Sequence, residues 1–317
     1  MSIAPAPDRP NLMPALPFPL LAAVLLSALV LGPLAPASAR DSGWVHLDYS
    51  QVRLVSAQRG VGSGARVRLG LQIRMGPGFK TYWRSPGDAG IPPRLDWSES
   101  SNLARARVRW PAPQRFVLAG FNTFGYAEEV VLPIDVELDR PGRPLAANLR
   151  LVYGVCRDIC VLGEADLVLT VPAGEDAATD HAGLIAWFRA RVPARGHADV
   201  DISRVHIVHE GGSRVLDIAA RARGGAGFDR PYIIVEGLEG VALPRPLVTV
   251  GGRERRDLRV RYRLAGGLPD LAGREVTLTL LDSALALETR ARIARGDRPT
   301  SPLPSGGRTD GDRVLRR

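Results

Sequence analysis

Short stretches in which apolar and polar residues alternate fill the chain from residue 44 to residue 172. The clearest of them are 66–74, 130–138, 149–153 and 166–172. A period of two places one row of side chains in a core and the other in solvent, as in a half-buried β-strand. Turn residues separate these segments, and no helical pattern comes between them. This arrangement predicts a β-sandwich over residues 40–175.

The pattern changes after residue 175. Leu184, Ile185 and Phe188 have the spacing of one helix face, after the candidate caps Thr179 and Asp180 and before Pro193. We therefore predict a helical connector over residues 176–197 that docks on a sheet.

Alternating segments return at Val200 and continue almost to the end of the chain. The candidates are 205–208, 214–220, 232–235, 258–264, 275–281 and 285–293. They predict a second, smaller β-sandwich over residues 198–295. Residues 296–317 are rich in Gly, Pro, Arg and Asp, and we predict that this tail is disordered.

The N-terminal segment has the pattern of an export signal. Residues 16–34 are almost entirely apolar, but their uninterrupted part between Pro19 and Gly32 is shorter than the about 20 residues of a membrane-spanning helix. Ala37-Ser38-Ala39 then supplies small residues for cleavage. We predict a signal peptide over residues 1–39 and export to the periplasm, with an uncleaved anchor as the alternative.

The charge of the chain does not point to nucleic acid. Among 317 residues, 42 Lys and Arg outnumber 33 Asp and Glu, and the net charge is +9. Lys80 is the only lysine, and the arginines are scattered among acidic residues instead of forming one basic block. This distribution is more typical of a high-GC genome than of a phosphate-binding surface, so we expect no nucleic-acid partner.

The candidate chemistry lies in the only two cysteines, Cys156 and Cys160. Two cysteines exclude a disulfide-dense scaffold and a four-cysteine metal site. The three residues between them suit a turn between two strands, at a distance that permits a disulfide. A loop this short stabilises by less than the ~3 kcal/mol of a 15-residue loop, which favours exchange chemistry over a structural bond.

Other interpretations of the pair remain open. A structural disulfide is one, and transient Cu(I) binding by the two thiolates is another. We expect no resident metal and no cofactor.

An aromatic segment is the candidate shield for the cysteines. Phe121, Phe124 and Tyr126 lie between glycines, which suggests a loop that can hinge. Packing of these aromatic side chains into the sandwich core is the alternative. Tyr82 or Tyr126 could bring a hydroxyl to the sulfurs, and Asp88 is expected to shape the domain rather than to react.

Taken together, several motifs resemble the N-terminal periplasmic domain of the thiol:disulfide interchange protein DsbD, and more closely its ScsB-type relatives. The motifs are residues 80–93, Trp97, 110–113, 124–126 and 153–160. The resemblance covers about residues 45–172. It implies an immunoglobulin-like domain, so the predicted fold is all-β: an immunoglobulin-like β-sandwich, a helical connector and a second, smaller β-sandwich.

The resemblance also implies a function. Cys156 and Cys160 would take electrons from a membrane-embedded donor and pass them to oxidised periplasmic thiol–disulfide proteins, with Cys160 as the attacking residue. An aromatic cap would cover them, mapped here onto residues 121–126 with Phe124 as the main shield. DsbD-like proteins continue into a membrane domain and a thioredoxin-like domain, which this sequence does not show, so we expect a separate donor. The alternative is a non-catalytic secreted binding or copper-handling module with a structural disulfide.

Overall fold

The computed structural model describes residues 40–118, 121–224, 227–241, 243–283 and 285–296. The predicted signal peptide, and all but the first residue of the predicted tail, lie outside the described residues. Strands make up nearly all of the regular structure, which confirms the all-β prediction. No helix in the ranges given above is long and apolar enough to cross a bilayer.

The first domain consists of two antiparallel sheets. Its strands are β1 (Val45–Leu47), β2 (Ser50–Ser56), β3 (Arg66–Met75), β4 (Lys80–Gly87), β5 (Arg94–Asp96), β6 (Arg105–Val108), β7 (Gln114–Leu118), β8 (Phe121–Ala127), β9 (Glu129–Glu137), β10 (Leu145–Cys156) and β11 (Cys160–Val171). One sheet has the order β1-β2-β3-β9-β6. The other has the order β11-β10-β4-β8-β7, with β5 also paired to β10.

The core of the first domain lies between these sheets. In β3, Val67, Leu69, Leu71 and Ile73 are fully buried, while Arg66, Arg68 and Arg74 are exposed, as the alternation predicts. Side chains of the second sheet, including Trp83 and Leu151, close the core from the other side. Each such burial contributes about 1.5–3 kcal/mol, which fixes the face that every strand presents.

The helix α1 (Ala182–Arg189) docks on the outer face of the first sheet. Ile185 is buried against Val55 and Val131, so the predicted apolar helix face is confirmed. Gly70 permits this contact, because a Cβ there would lie 2.7 Å from Val131 Cγ1 and 3.0 Å from Ile185 Cγ1. The N-cap is His181 and not the predicted Thr179 or Asp180; the Thr179 hydroxyl donates to the carbonyl oxygen of Ser56 and accepts from the N–H of His181 (3.2 Å), before the helix begins.

The second domain also contains two sheets around an apolar core. Its strands are β12 (Ala194–Arg195), β13 (Val200–Glu210), β14 (Ser213–Ala222), β15 (Tyr232–Glu236), β16 (Leu247–Gly251), β17 (Asp257–Arg263), β18 (Glu275–Asp282), β19 (Leu285–Arg292) and β20 (Ala294–Arg295). The sheet orders are β12-β19-β18-β15 and β16-β17-β14-β13-β20. A short 3₁₀ turn, Arg253–Arg255, connects β16 to β17.

The two domains touch through β4 and β8 of the first. The Arg84 guanidinium donates to both carboxylate oxygens of Glu236, at 2.9 and 2.7 Å, and also pairs with Glu288. Beside this cluster, the rings of Phe124 and Tyr232 pack 5.5 Å apart. The second domain therefore contacts strands that belong to the cysteine-bearing sheet.

Candidate functional site

The two cysteines form a disulfide at the end of the β10–β11 hairpin. They are paired in register, Cys156 with Cys160, and the S–S distance is 2.05 Å. The backbone N–H of Arg157 donates to the carbonyl oxygen of Ile159 (3.0 Å), which closes the turn between them. The predicted turn between two strands is confirmed.

The two sulfurs have different surroundings. Cys156 is fully buried, whereas Cys160 is exposed. Two apolar side chains beside Cys160 also face solvent, Ile159 at 59% and Leu162 at 49% of their area. A thiol or disulfide from another molecule can therefore reach Cys160 and not Cys156.

Cys156 lies on the outer face of its sheet, away from the sandwich core. Its neighbour Val155 belongs to the core, and side chains alternate between faces along a strand. Register places Tyr82 of β4 on this same outer face, because Thr81 is paired with Val155. The site is thus built on the sheet surface and is closed by what covers that surface.

Tyr82 connects the sheet to the sulfurs. Its hydroxyl donates to Cys156 Sγ at 2.8 Å and lies 3.6 Å from Cys160 Sγ. The side chain is 2% exposed, and this burial raises the pKa of Tyr82 above its ordinary value. At neutral pH the hydroxyl therefore keeps its proton and can donate it in a hydrogen bond to sulfur.

A segment of the 80–93 motif, for which no covering role was predicted, covers Tyr82. Gly90 packs against the ring, because a Cβ at this position would lie 2.3 Å from Tyr82 Cε1. Its φ of +133° is also a conformation that favours glycine. Next along the chain, the carbonyl oxygen of Ile91 accepts a hydrogen bond from the N–H of Gly154 (3.1 Å). In the sequence, Gly87 and Gly90 were the residues that could have indicated a segment packed closely over the sheet.

Asp88 anchors this covering segment at its other end. Its N–H donates to the carbonyl oxygen of Asn122 (2.9 Å), and its carboxylate accepts from the N–H of Asn122 (2.8 Å). The contacts are consistent with the expected shaping role of Asp88, and they place it on β8 and not on the sulfurs.

The charges around the disulfide largely balance one another. Arg157 pairs with Asp158 at 2.9 Å and lies over the ring of Phe79, which stacks on Tyr49. Lys80 is in register with Cys156, but its Nζ lies over the ring of Phe116. Burial lowers the pKa of Lys80, and Asp158 partly opposes this shift. The loop between the cysteines contains one positive and one negative side chain, so its net charge is zero.

The predicted aromatic loop is a strand, so that prediction is wrong. Residues 121–127 form β8, which bonds to β4 on one side and to β7 on the other. Pairing on both edges outweighs the local preference of the flanking glycines for a turn.

The aromatic side chains of β8 follow its alternation. Phe124 and Tyr126 are buried in the core cluster, on the face opposite to Cys156, which is the alternative left open by the sequence. The Tyr126 hydroxyl donates to the carbonyl oxygen of Pro111 (2.8 Å), so of the two candidate hydroxyls it is Tyr82 that reaches the sulfurs. Phe121 is 52% exposed near the β7–β8 connection.

Comparisons with known proteins agree with this geometry. Residues 51–172 match the family model described as "Thiol:disulfide interchange protein DsbD, N-terminal". Residues 191–296 match a model described as "Domain of unknown function (DUF8393)". A comparison with curated proteins gave no match.

The solved structures that are similar to the chain include the following two. The N-terminal periplasmic domain of ScsB from Proteus mirabilis is 26% identical, with a TM-score of 0.65, over 81% of this chain and 99% of that one. The reduced DsbD N-terminal domain of Neisseria meningitidis is 16% identical, with a TM-score of 0.22, over 38% of this chain and 86% of that one.

An immunoglobulin-like sandwich with a closely spaced cysteine pair defines a class of thiol–disulfide exchange modules, and the first domain has both features. Within that class, residues 51–172 are similar to DsbD N-terminal domains, whose family model they match. The resemblance stated from the sequence motifs is confirmed, as is the second β domain.

Proposed function

We propose that the chain is a periplasmic thiol–disulfide exchange module that passes electrons from a membrane reductase to oxidised periplasmic proteins through Cys156 and Cys160. The observation that carries the proposal is the unequal disulfide: Cys160 is exposed, while Cys156 is buried and bonded to Tyr82. Cys160 Sγ can react with a partner, and Cys156 Sγ can leave the disulfide as a thiolate that stays buried in the domain.

The module is reduced when a donor thiolate attacks Cys160 Sγ. The Cys156–Cys160 bond breaks, a mixed disulfide forms on Cys160, and its electron pair leaves on Cys156 as a thiolate. A second donor thiolate then displaces Cys160, so the donor leaves with a disulfide and this chain with two thiols. Delivery runs the same steps towards a substrate: Cys160 attacks the substrate disulfide, and Cys156 resolves the intermediate.

Tyr82 supports the step that creates charge. When the disulfide opens, the negative charge develops on Cys156 Sγ, 2.8 Å from a hydroxyl that already points to it. Hydrogen bonds to a charged acceptor are roughly twice as strong as neutral ones. Tyr82 therefore stabilises the released thiolate more than it stabilises the closed disulfide, which lowers the barrier to exchange.

The location and the partners are proposed on separate grounds. The matched ScsB domain is described as periplasmic, and the sequence predicts a signal peptide over residues 1–39. An oxidising compartment also suits a protein whose only two cysteines are closed as a disulfide. A membrane-embedded donor follows from the DsbD resemblance alone.

A trapping experiment tests the exchange. Cys156→Ala in the full exported chain leaves the accessible Cys160 thiol without its resolving partner, so we expect a covalent adduct with an oxidised periplasmic protein, detected on non-reducing gels. Cys160→Ala is the matched control, and it should trap far less because Cys156 is buried.

A redox titration completes the test. Failure of both variants to form an adduct, together with a wild-type disulfide that stays closed at about −300 mV, would contradict the proposal and favour a structural bond.

A further inference from the structure

We propose that the open edge of β11 binds an extended, cysteine-bearing segment of the partner protein as an added β-strand. This inference rests on the proposed exchange function, and it specifies how the partner docks. It is carried by the free edge of the strand, by the direction of its backbone groups and by the position of Cys160 at its start.

The edge itself is long, and no strand of the described residues pairs with its outer side. β11 has 12 residues, stands at the end of its sheet and pairs with β10 alone among the strands described here. Its outer row of side chains is exposed and includes the apolar Leu162 and Val168. An unpaired edge of this kind is a template for strand addition, which gives affinity through main-chain hydrogen bonds.

The backbone groups beside Cys160 point outward from this edge. The N–H of Gly154 bonds to Ile91, and its carbonyl accepts from Thr81 Oγ1 (2.9 Å), so the polar groups of Gly154 point away from β11. Its partner Leu162 therefore occupies a non-hydrogen-bonded pair of the antiparallel ladder. The 4.1 Å Cα–Cα distance between Cys156 and Cys160 indicates the same pair type.

It follows that the N–H and C=O groups of Cys160, Leu162 and Glu164 are directed at the open side. Hydrogen-bonded and non-hydrogen-bonded pairs alternate along the ladder. Cys160, Leu162 and Glu164 are every second residue of β11, so all three belong to non-hydrogen-bonded pairs. An added strand would find bonding groups beginning at the reactive cysteine itself.

The line of chemical attack crosses the same edge. Displacement at a disulfide sulfur proceeds in line, with the entering and leaving sulfurs on opposite sides of the sulfur attacked. Cys156 lies on β10, so a partner sulfur that displaces it from Cys160 must approach over the β11 side. When Cys156 later resolves the mixed disulfide, the partner sulfur leaves over this edge as well.

The side chains along the edge define the chemistry of the occupant. Leu162 is half exposed next to Cys160, and exposed Glu164 follows it on the same face. Further along, Asp166 is paired with Arg150 at 3.4 Å. The segment that fits best is extended, with an apolar residue two positions from its cysteine and a basic residue four positions from it.

A defined peptide probe tests this docking. The probe is an eight-residue peptide of that pattern with Arg at the basic position and its cysteine as a mixed disulfide with thionitrobenzoate. The reduced full chain attacks the peptide sulfur through Cys160 and releases thionitrobenzoate anion, which is measured by absorbance. Cys156 then displaces the peptide thiol, so the chain ends oxidised and the peptide reduced.

We expect the peptide to react about tenfold faster than the same peptide N-methylated at alternate backbone nitrogens, since two or three main-chain hydrogen bonds are lost. Replacing Arg in the peptide by Glu should slow the wild type about twofold to fivefold, and Glu164→Arg should reverse that preference. Thr170→Arg, on the same row at the far end of β11, is the matched control and should leave the preference unchanged.

The small reagent dithiobis(nitrobenzoate) separates the two possible failures. If it reacts with the reduced wild type while both peptides react at equal rates, strand addition is wrong and the exchange function stands. If it does not react with Cys160 at all, the proposed function is wrong and the docking proposal fails with it. An unchanged charge preference in Glu164→Arg would also overturn the proposal.

Discussion

The two domains of this chain bury a polar group on the outer face of a sheet in different ways. In the first domain the group is Cys156, whose Sγ accepts a hydrogen bond from the neutral hydroxyl of Tyr82. In the second it is Asp217, fully buried and bonded to Arg259 at 2.7 and 2.9 Å. Arg204 and Arg261 also lie within 3.8 Å of Asp217.

The difference separates a reactive group from a structural ion pair. A neutral donor stabilises a thiolate when it forms and costs little when the sulfur is in a disulfide, so Cys156 can alternate between the two states. A carboxylate buried among guanidinium groups has a structural role, because removal of either partner leaves a buried charge uncompensated. The first arrangement suits chemistry, and the second suits a fixed scaffold.

The largest expected effect is in the second domain. Asp217→Ala removes the carboxylate bonded to Arg259, which is itself 9% exposed, and should lower the free energy of unfolding by about 3–5 kcal/mol. Urea denaturation measures this loss. Asp201→Ala, which breaks the exposed pair with Arg223, is the control and should cost less than about 1 kcal/mol. Equal costs for the two variants would mean that the Asp217 pair contributes no more than an exposed pair, and its contrast with the Cys156 site would then fail.

The next effect is kinetic and belongs to the first domain. Tyr82→Phe removes the donor to Cys156 Sγ, and it should slow the opening of the disulfide by dithiothreitol about tenfold, as expected for a lost bond to a charged group. Tyr153→Phe is the matched control, since it removes another buried hydroxyl of this domain, bonded to Ser50 and not to sulfur. A similar slowing in both variants would mean that Tyr82 acts through stability alone.

The smallest effect should be shared by both domains. Burial raises the pKa of Tyr126 and of Tyr262 well above the ordinary value. The folded protein therefore keeps these protons at a pH where the unfolded chain has lost them, and stability falls as pH rises above about 10. The loss should approach about 1.4 kcal/mol per pH unit for each tyrosine.

Urea unfolding at pH 8 and about pH 10.5 tests this dependence. Tyr126→Phe and Tyr262→Phe should each flatten it. A slope that neither buried variant changes would assign the alkaline loss to other groups.

Patterns that depend on near neighbours were read correctly from the sequence. Alternation at residues 66–74 predicted β3, and the apolar helix face predicted the docking of α1. The Cys-Arg-Asp-Ile-Cys spacing predicted a hairpin turn, because three residues and two flanking strands suffice to define it. The aromatic segment failed as a loop, since β4 pairs with one of its edges and β7 with the other.

By itself the sequence determined that the protein is built of strands, that two cysteines meet at a turn and that they belong to a DsbD-like domain. Only the tertiary structure decided which cysteine is accessible, which hydroxyl reaches the sulfur and where the sheet ends. Tyr82 and Cys156 are 74 residues apart, and they meet because β4 lies beside β10 in the sheet. The alternation of a strand defines two faces, but long-range packing decides what covers each face and which edge stays open.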